Sequence, residues 1–112
     1  MKKIEAIVRP AKVGEVCAAL EKIGHPGIMI TEIEGHGKQK GLKHEFRGKT
    51  YSINFLPKVR LELIVNDSDA AKIVTVIRSA ALTGKVGDGK IFIYPVDDAV
   101  RIRTAENGVT AL

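Results

Sequence analysis

The sequence predicts a single α+β domain, residues 1–112, in which four strands and two helices follow one another in the order βαββαβ. Apolar residues recur at every second position in four segments, which is typical of strands, and at helical spacing in two others. The length agrees with this fold class, because 112 residues fit one domain and can bury a core without disulfide or metal staples.

The first half of the chain is predicted to contain a strand, a helix and a strand. Lys2–Arg9 alternates apolar and charged residues until Pro10, which predicts the first strand. A helix that ends near Gly24 is predicted from apolar residues at helical spacing, namely Val13, Val16, Cys17, Leu20 and Ile23. Cys17 therefore belongs to the expected core. A second strand is predicted over Ile28–Glu34.

The second half repeats this pattern after a long interruption. No period holds over 35–57, and Val59–Val65 then alternates as the third strand. A helical stripe that closes before Gly84 follows, formed by Ile73, Val74, Ile77, Ala80 and Ala81. Lys90–Val96 is predicted as the fourth strand and Val100–Arg103 as a short fifth.

This order is the ferredoxin-like plan, in which two helices cover one face of a four-stranded antiparallel sheet. The other face also needs a cover, because apolar residues such as Ile7 and Ile64 fall on it. We therefore expect the chain to associate with copies of itself.

Composition narrows the classes of function. The formal net charge of +5 favours anionic partners, which could be nucleic acid, a membrane surface or small phosphate ligands. The single cysteine excludes an internal disulfide, and the histidines lack zinc-ligand spacing. No signal peptide or membrane-spanning run is evident, so we expect a cytoplasmic protein without membrane insertion.

The connection between the second and third strands is far longer than the usual hairpin loop, and it is rich in lysine and glycine. Such loops are usually functional, and Tyr51 within it could be a contact or a modification target. A passive insertion, or a strand pair that extends beyond the core, is the alternative.

Two further motifs favour a phosphate ligand. In Thr83–Lys90 (TGKVGDGK), glycines let successive N–H groups converge on an anion, although a helix cap and turn would look alike. This is not a Walker A loop, because the spacing differs and a strand follows. Arg101 and Arg103 would share one face of a short strand, where they repel unless an anion lies between them; a solvated edge strand is the alternative.

Three segments in order resemble motifs of the PII signal-transduction protein family. They are Thr83–Phe92, Phe46–Tyr51 followed by Phe55–Val59, and Arg101–Thr104. The resemblance implies a compact homotrimer and a non-catalytic regulator of nitrogen metabolism. It would bind ATP or ADP, and 2-oxoglutarate with MgATP. It would control an ammonium transporter or nitrogen-metabolism enzymes through its long flexible loop, residues 37–56.

The resemblance also implies roles for single residues. The nucleotide phosphates would be held by Gly87, Asp88, Gly89 and Lys90, with Arg101 and Arg103 reaching them from the neighbouring subunit. Gly37 and Lys38 would approach the nucleotide from the base of the long loop. Ile64 would lie near the adenine, as would Met29, which stands where many relatives have a threonine that hydrogen-bonds the base.

Four residues are implied in the other functions. Gln39 would coordinate Mg²⁺ through its side-chain oxygen, and Lys58 would pair with a carboxylate of 2-oxoglutarate beside Gly87. Tyr51 matches the tyrosine that a nucleotidylyltransferase modifies in many relatives. Arg47 matches the arginine that contacts the partner channel.

Three alternatives remain beside this interpretation. A nucleotide hydrolase would need a residue that activates water, and none is evident. A nucleic-acid-binding ferredoxin-like domain would suit the basic loop, but aromatic residues make up only 4% of the chain and no RNP-like pair marks the strands. A divergent regulator dedicated to nitrogenase or another enzyme is the third.

Overall fold

The structure is a computed structural model that describes residues 1–25, 27–35, 43–46, 49–52 and 56–112. Its α-helices and strands are β1 (Lys2–Val8), α1 (Val13–Lys22), β2 (Met29–Gly35), β3 (Lys43–Phe46), β4 (Lys49–Ser52), β5 (Leu56–Val65), α2 (Asp67–Ala81) and β6 (Lys90–Pro95). Short 3₁₀ turns at Pro10–Lys12 and Gly108–Ala111 complete the described chain.

The main sheet has the strand order β2-β5-β1-β6, and every neighbouring pair is antiparallel. This order, with α1 and α2 packed against each other and α2 against β1, confirms the predicted ferredoxin-like fold. One face of the sheet therefore carries the helices, and the other, which we call the open face, carries none in the described chain.

The core lies between the helices and the sheet and follows the predicted periodicity. The fully or nearly fully buried apolar side chains include Ile4, Ala6, Val8, Leu61, Leu63, Val16, Leu20, Ile73 and Ile77. Burial of each larger side chain contributes about 1.5–3 kcal/mol. Cys17 is only partly buried, because Val16 and Leu20 occupy the centre of the apolar stripe of α1 and Cys17 lies to one side.

The open face carries charged and aromatic side chains in the middle of the sheet. Glu5 and Glu62 are register partners, and Lys3 Nζ lies 3.7 Å from a carboxylate oxygen of each. Lys3 also lies 5.2 Å from the ring centroid of Tyr94. A hydrogen bond to Glu5, aided by burial, raises the pKa of Tyr94 above its ordinary value. Arg60 pairs with Glu62 at 2.9 Å, so this face is organised by ion pairs.

The long connection differs from its prediction. β2 continues to Gly35 and β5 begins at Leu56, and these two residues are register partners. Between them, β3 and β4 form a separate two-stranded antiparallel sheet. The segment therefore contains a strand pair, which is one part of the stated alternative. A strand pair that forms its own sheet need not follow the alternation of the main sheet, so the sequence pattern does not reveal it.

The predicted fifth strand over residues 100–103 is wrong. Val100 forms a single bridge to Asn107, and the chain then turns, with the Ala105 amide donating to the Arg101 carbonyl at 2.8 Å. Ala105 adopts a φ of 60°, which ends any extended run. Arg101 and Arg103 therefore do not share one face of a strand.

Candidate functional site

The segment Thr83–Gly89, here called the glycine loop, joins α2 to β6. Gly84, Gly87 and Gly89 have φ values of 86°, 103° and 95°. Residues other than glycine rarely adopt these backbone angles, so the glycines determine the path of the loop. The predicted phosphate motif is thus a loop with a defined backbone path.

Gly89 brings the loop into direct backbone contact with the end of β1. A Cβ atom at this position would lie 1.7 Å from the carbonyl oxygen of Ile7. At Gly84, by contrast, a Cβ atom would meet nothing within 4 Å. Glycine is therefore required at position 89 for space as well as for φ.

The Asp88 carboxylate lies inside the loop and connects its two ends. It accepts hydrogen bonds from the backbone N–H groups of Thr83 and Gly84, each at 2.9 Å, and from the Thr83 hydroxyl. The Arg9 Nε atom lies 3.1 Å from the same carboxylate. These donors, the Thr83 hydroxyl first, hold the pKa of Asp88 well below its usual range. The Asp88 side chain is thus engaged in loop structure.

Two cations approach the loop from neighbouring strands. Arg9, directly after β1, donates through Nη2 to the carbonyl oxygen of Val86 at 2.9 Å. Lys58, in β5, donates through Nζ to the carbonyl oxygen of Gly87. Burial and the nearby charge of Arg9 lower the pKa of Lys58, and Asp88 opposes this shift. The resemblance names Lys58 as a ligand residue but does not imply its contact with the loop. No sequence pattern points to Arg9, because it lies 77 residues away from the loop in the chain.

Openings lie on two sides of these residues. A cleft of about 340 Å³ separates the end of α2 from the loop and is bordered by Leu82, Gly89 and Lys90. A groove of about 500 Å³ lies where β2 and β5 meet the long connection, and Lys58 lines it together with Glu34. Lys58 therefore lies between the loop and open space.

The remaining predicted ligand residues are distributed over the sheet and the C-terminal turn. Ile64 lies on the open face opposite Lys3, and Met29 lies opposite Glu62. Gly37, Lys38, Gln39 and Arg47 lie outside the described residues. Tyr51 lies in β4, with its backbone opposite His44.

Arg101 is engaged with the C-terminal segment of its own chain. It pairs with Glu106 at 3.1 Å and donates to the carbonyl oxygens of Thr110 and Leu112 at 3.3 Å and 3.2 Å. Arg103 is exposed. Over the parts of the chain that the structure describes, neither arginine forms a hydrogen bond or ion pair with the glycine loop of the same chain.

Among the described residues, no group of three or more histidine, cysteine, aspartate or glutamate side chains is placed to hold a metal ion. In the same part of the chain, no helix is long and apolar enough to cross a membrane.

Comparisons with known proteins agree along the whole chain. A family model described as nitrogen regulatory protein P-II matches residues 1–106. The nitrogen regulatory protein P-II of Rhodospirillum rubrum is 49% identical over 112 residues and covers 100% of both chains. Nitrogen regulatory protein P-II 2 of Methanothermobacter thermautotrophicus is also 49% identical, over 100% of this chain and 97% of the relative. The crystal structure of Arabidopsis thaliana PII bound to citrate matches with a TM-score of 0.81 at 37% identity, over 99% of this chain and 91% of that chain.

Proposed function

Because this chain belongs to the nitrogen regulatory protein P-II family, we propose that it is a non-catalytic regulator that binds ATP or ADP at the glycine loop and 2-oxoglutarate beside Lys58. The two ligands would report energy state and the balance of carbon and nitrogen. The long connection would then convey the result to a partner, either an ammonium transporter or an enzyme of nitrogen metabolism.

The observation that carries this proposal is the organised glycine loop. Gly87 and Gly89 give the backbone the angles that let N–H groups converge on an anion, and Lys90 follows immediately. Asp88, which accepts hydrogen bonds from the N–H groups of Thr83 and Gly84, holds the loop in this form. A preorganised loop loses less entropy on binding, which favours affinity for phosphates.

The residues near Lys58 suit a dicarboxylate that is bound with a magnesium ion. Asp88 already accepts hydrogen bonds from several donors, so it is not a spare metal ligand. Gln39 would then supply the protein oxygen, with phosphate and 2-oxoglutarate oxygens as the other ligands, as magnesium prefers. The ion would neutralise charge between the two ligands. Lys58 would orient the dicarboxylate by pairing with one carboxylate.

Assembly into a homotrimer belongs to the same proposal. The exposed Phe92 and Tyr94 side chains on the open face need a cover, and copies of the chain would supply it. Arg101 and Arg103, which are not joined to the glycine loop of their own chain, would then approach the loop of a neighbouring subunit.

The long connection would select partners through its conformations. A ligand-dependent switch of this kind needs a coupling free energy of only about 1–3 kcal/mol. Arg47 would contact the partner, and Tyr51 would be the residue that a nucleotidylyltransferase modifies.

Nucleic acid is a weaker candidate ligand. Glu5 and Glu62 lie side by side in the middle of the open face. In an RNA-binding sheet, this position would offer a stacking surface to the RNA bases. The negative charges of the two glutamates would repel phosphates there, although Lys3 and Arg60 offset part of that charge.

Calorimetric titration tests the proposal. We expect 2-oxoglutarate to bind only when MgATP is present, because the ion and the phosphates complete its site. Gln39→Ala should abolish this binding while largely preserving the affinity for ATP. Normal 2-oxoglutarate binding to Gln39→Ala would refute the site assignment.

Lys58→Met provides the second arm of this test, and Lys72→Met provides its control. Both variants remove one lysine charge, but Lys72 lies exposed on α2. We expect Lys58→Met to weaken 2-oxoglutarate binding at least roughly tenfold, since it removes a charged hydrogen bond. Equal affinities in the two variants would exclude Lys58 from the site.

A further inference from the structure

We propose that Arg9 is a positioning residue for the nucleotide site: it holds the glycine loop in its anion-binding form by bridging Asp88 and Val86. This inference rests on the proposed function, because it assigns the loop a ligand. It concerns a residue that the sequence patterns and the resemblance did not single out.

The Arg9 guanidinium makes two different contacts with one loop. Nε lies 3.1 Å from the Asp88 carboxylate, and Nη2 donates to the Val86 carbonyl oxygen at 2.9 Å. These atoms tie the end of β1 to a segment 77 to 79 residues later in the chain. The loop is therefore fixed by a group outside itself as well as by its own hydrogen bonds.

The backbone gives Arg9 a defined starting direction. Its φ of −64° and ψ of 139° are extended, and the following Pro10 restricts a residue to this region. The side chain, which is about one-fifth exposed at 21%, then lies along the loop. A planar guanidinium can contact a carboxylate and a carbonyl group together, whereas a lysine ammonium is a single point of charge.

A loop with three glycines at positive φ needs such an anchor. Glycine loses more backbone freedom on ordering than any other residue, so an unanchored loop would leave its anion-binding form readily. Arg9 also balances the Asp88 charge, which would otherwise repel a phosphate. The anchor thus supports anion binding in two ways, through geometry and through charge.

The observed contacts of Arg9 join Nε to Asp88 and Nη2 to Val86, so the proposed role acts on the ligand through these two loop residues. This distinguishes it from Lys90, which we place among the residues that hold phosphate. An indirect effect has a measurable signature, because substitutions that act through one shared contact are not additive.

The test is a double-mutant cycle with ADP as the probe. Arg9→Gln should weaken ADP binding roughly tenfold in the otherwise unaltered protein, and by a much smaller factor when Asp88→Asn is already present. An equal fold-loss in both backgrounds would show that Arg9 acts independently of Asp88, and the inference would be overturned.

A second measurement needs no nucleotide. Amide hydrogen exchange at Thr83 and Gly84, whose N–H groups donate to Asp88, should accelerate in Arg9→Gln. Lys12→Gln is the control: it removes the same charge nearby, but Lys12 pairs with Glu15 at 3.3 Å and should leave the exchange of both amides unchanged. Unchanged exchange in Arg9→Gln would refute the anchoring contact.

Failure of the proposed function and failure of the Arg9 inference give different results. If the unaltered protein binds no ADP, the proposed function is wrong and the inference that rests on it is wrong too. If the unaltered protein binds ADP and Arg9→Gln binds it equally well, only the inference fails.

Discussion

Asp88 connects the two ends of the glycine loop through a carboxylate that stays charged. Its pKa is lowered in the folded protein, so the charged group contributes stability that is complete above the ordinary aspartate pKa. That contribution declines as the pH falls below the ordinary value, and it is fully lost once the pH lies below the lowered pKa. The loop should therefore keep its structure in acid where ordinary carboxylates are already protonated.

Substitution of Thr83 tests this cause. Its hydroxyl is the largest contributor to the lowered pKa of Asp88, so Thr83→Val should move that pKa back towards the ordinary value of 3.8. The measurement is the carbon chemical shift of the Asp88 carboxyl group as a function of pH. Thr75→Val is the control, because the Thr75 hydroxyl donates to the Ala71 carbonyl oxygen. An unchanged titration in Thr83→Val would contradict the assignment.

Two glycine substitutions separate backbone strain from lack of space. Gly84→Ala has space for its Cβ atom, so its only cost is the strain of a positive φ. It should lower the free energy of unfolding by about 1 kcal/mol. Gly89→Ala also places Cβ against the Ile7 carbonyl and should cost roughly 3 kcal/mol. Urea denaturation measures both. Equal losses would mean that the loop moves away from β1 without cost.

At the scale of elements, α2 joins the helix layer to the sheet. Ile77 is fully buried against this core, and its truncation leaves a cavity that close packing cannot easily fill. Ile77→Ala should therefore lower the free energy of unfolding by about 2–5 kcal/mol. Thr75→Ala, at an exposed position of the same helix, should change it by less than about 0.5 kcal/mol. Denaturant midpoints compare the two, and similar losses would place α2 outside the core.

The sheet and both helices could be predicted because each buries one face, which leaves a period in the sequence. β1 and β5 show this directly, because buried and partly exposed residues alternate along each strand. Ile4 in β1 and Leu61 in β5 are fully buried. β3 and β4 form a separate sheet, so the alternation of the main sheet does not extend to them. The turn after Val100 depends on backbone hydrogen bonds and on the φ of Ala105, which no periodicity records.

The candidate site was predictable only in part, for a related reason. Glycine spacing revealed the loop between Gly84 and Gly89, because unusual backbone angles restrict residue type. The contacts of Arg9 and Lys58 with that loop arise from the way the strands lie side by side. Contacts between distant segments leave no local pattern in a single sequence.

At the scale of the whole molecule, the open face predicts self-association. Phe92, Tyr94 and Met29 remain 43%, 42% and 54% exposed in the single chain, which is a large apolar exposure for one face. We expect light scattering to give three times the chain mass of 12.1 kDa. A mass equal to that of one chain would refute the proposed homotrimer.

Charge substitution locates the interface. Phe92→Asp places a carboxylate on the open face beside Glu5, its register partner, and should dissociate the assembly into single chains. Ala18→Asp adds the same charge at an exposed position of α1 and should leave the mass unchanged. Dissociation by Ala18→Asp alone would place the interface on the helical side instead.

Because Gly35 pairs with Leu56, the long connection between them could be exchanged for another segment without changing the main sheet. The chain leaves the sheet and returns at neighbouring positions, about 5 Å apart, whatever lies between them. Doubling the length of such a segment adds only about 0.6 kcal/mol of closure entropy. A foreign recognition peptide could therefore be grafted between these two residues, and the main sheet should still form around it.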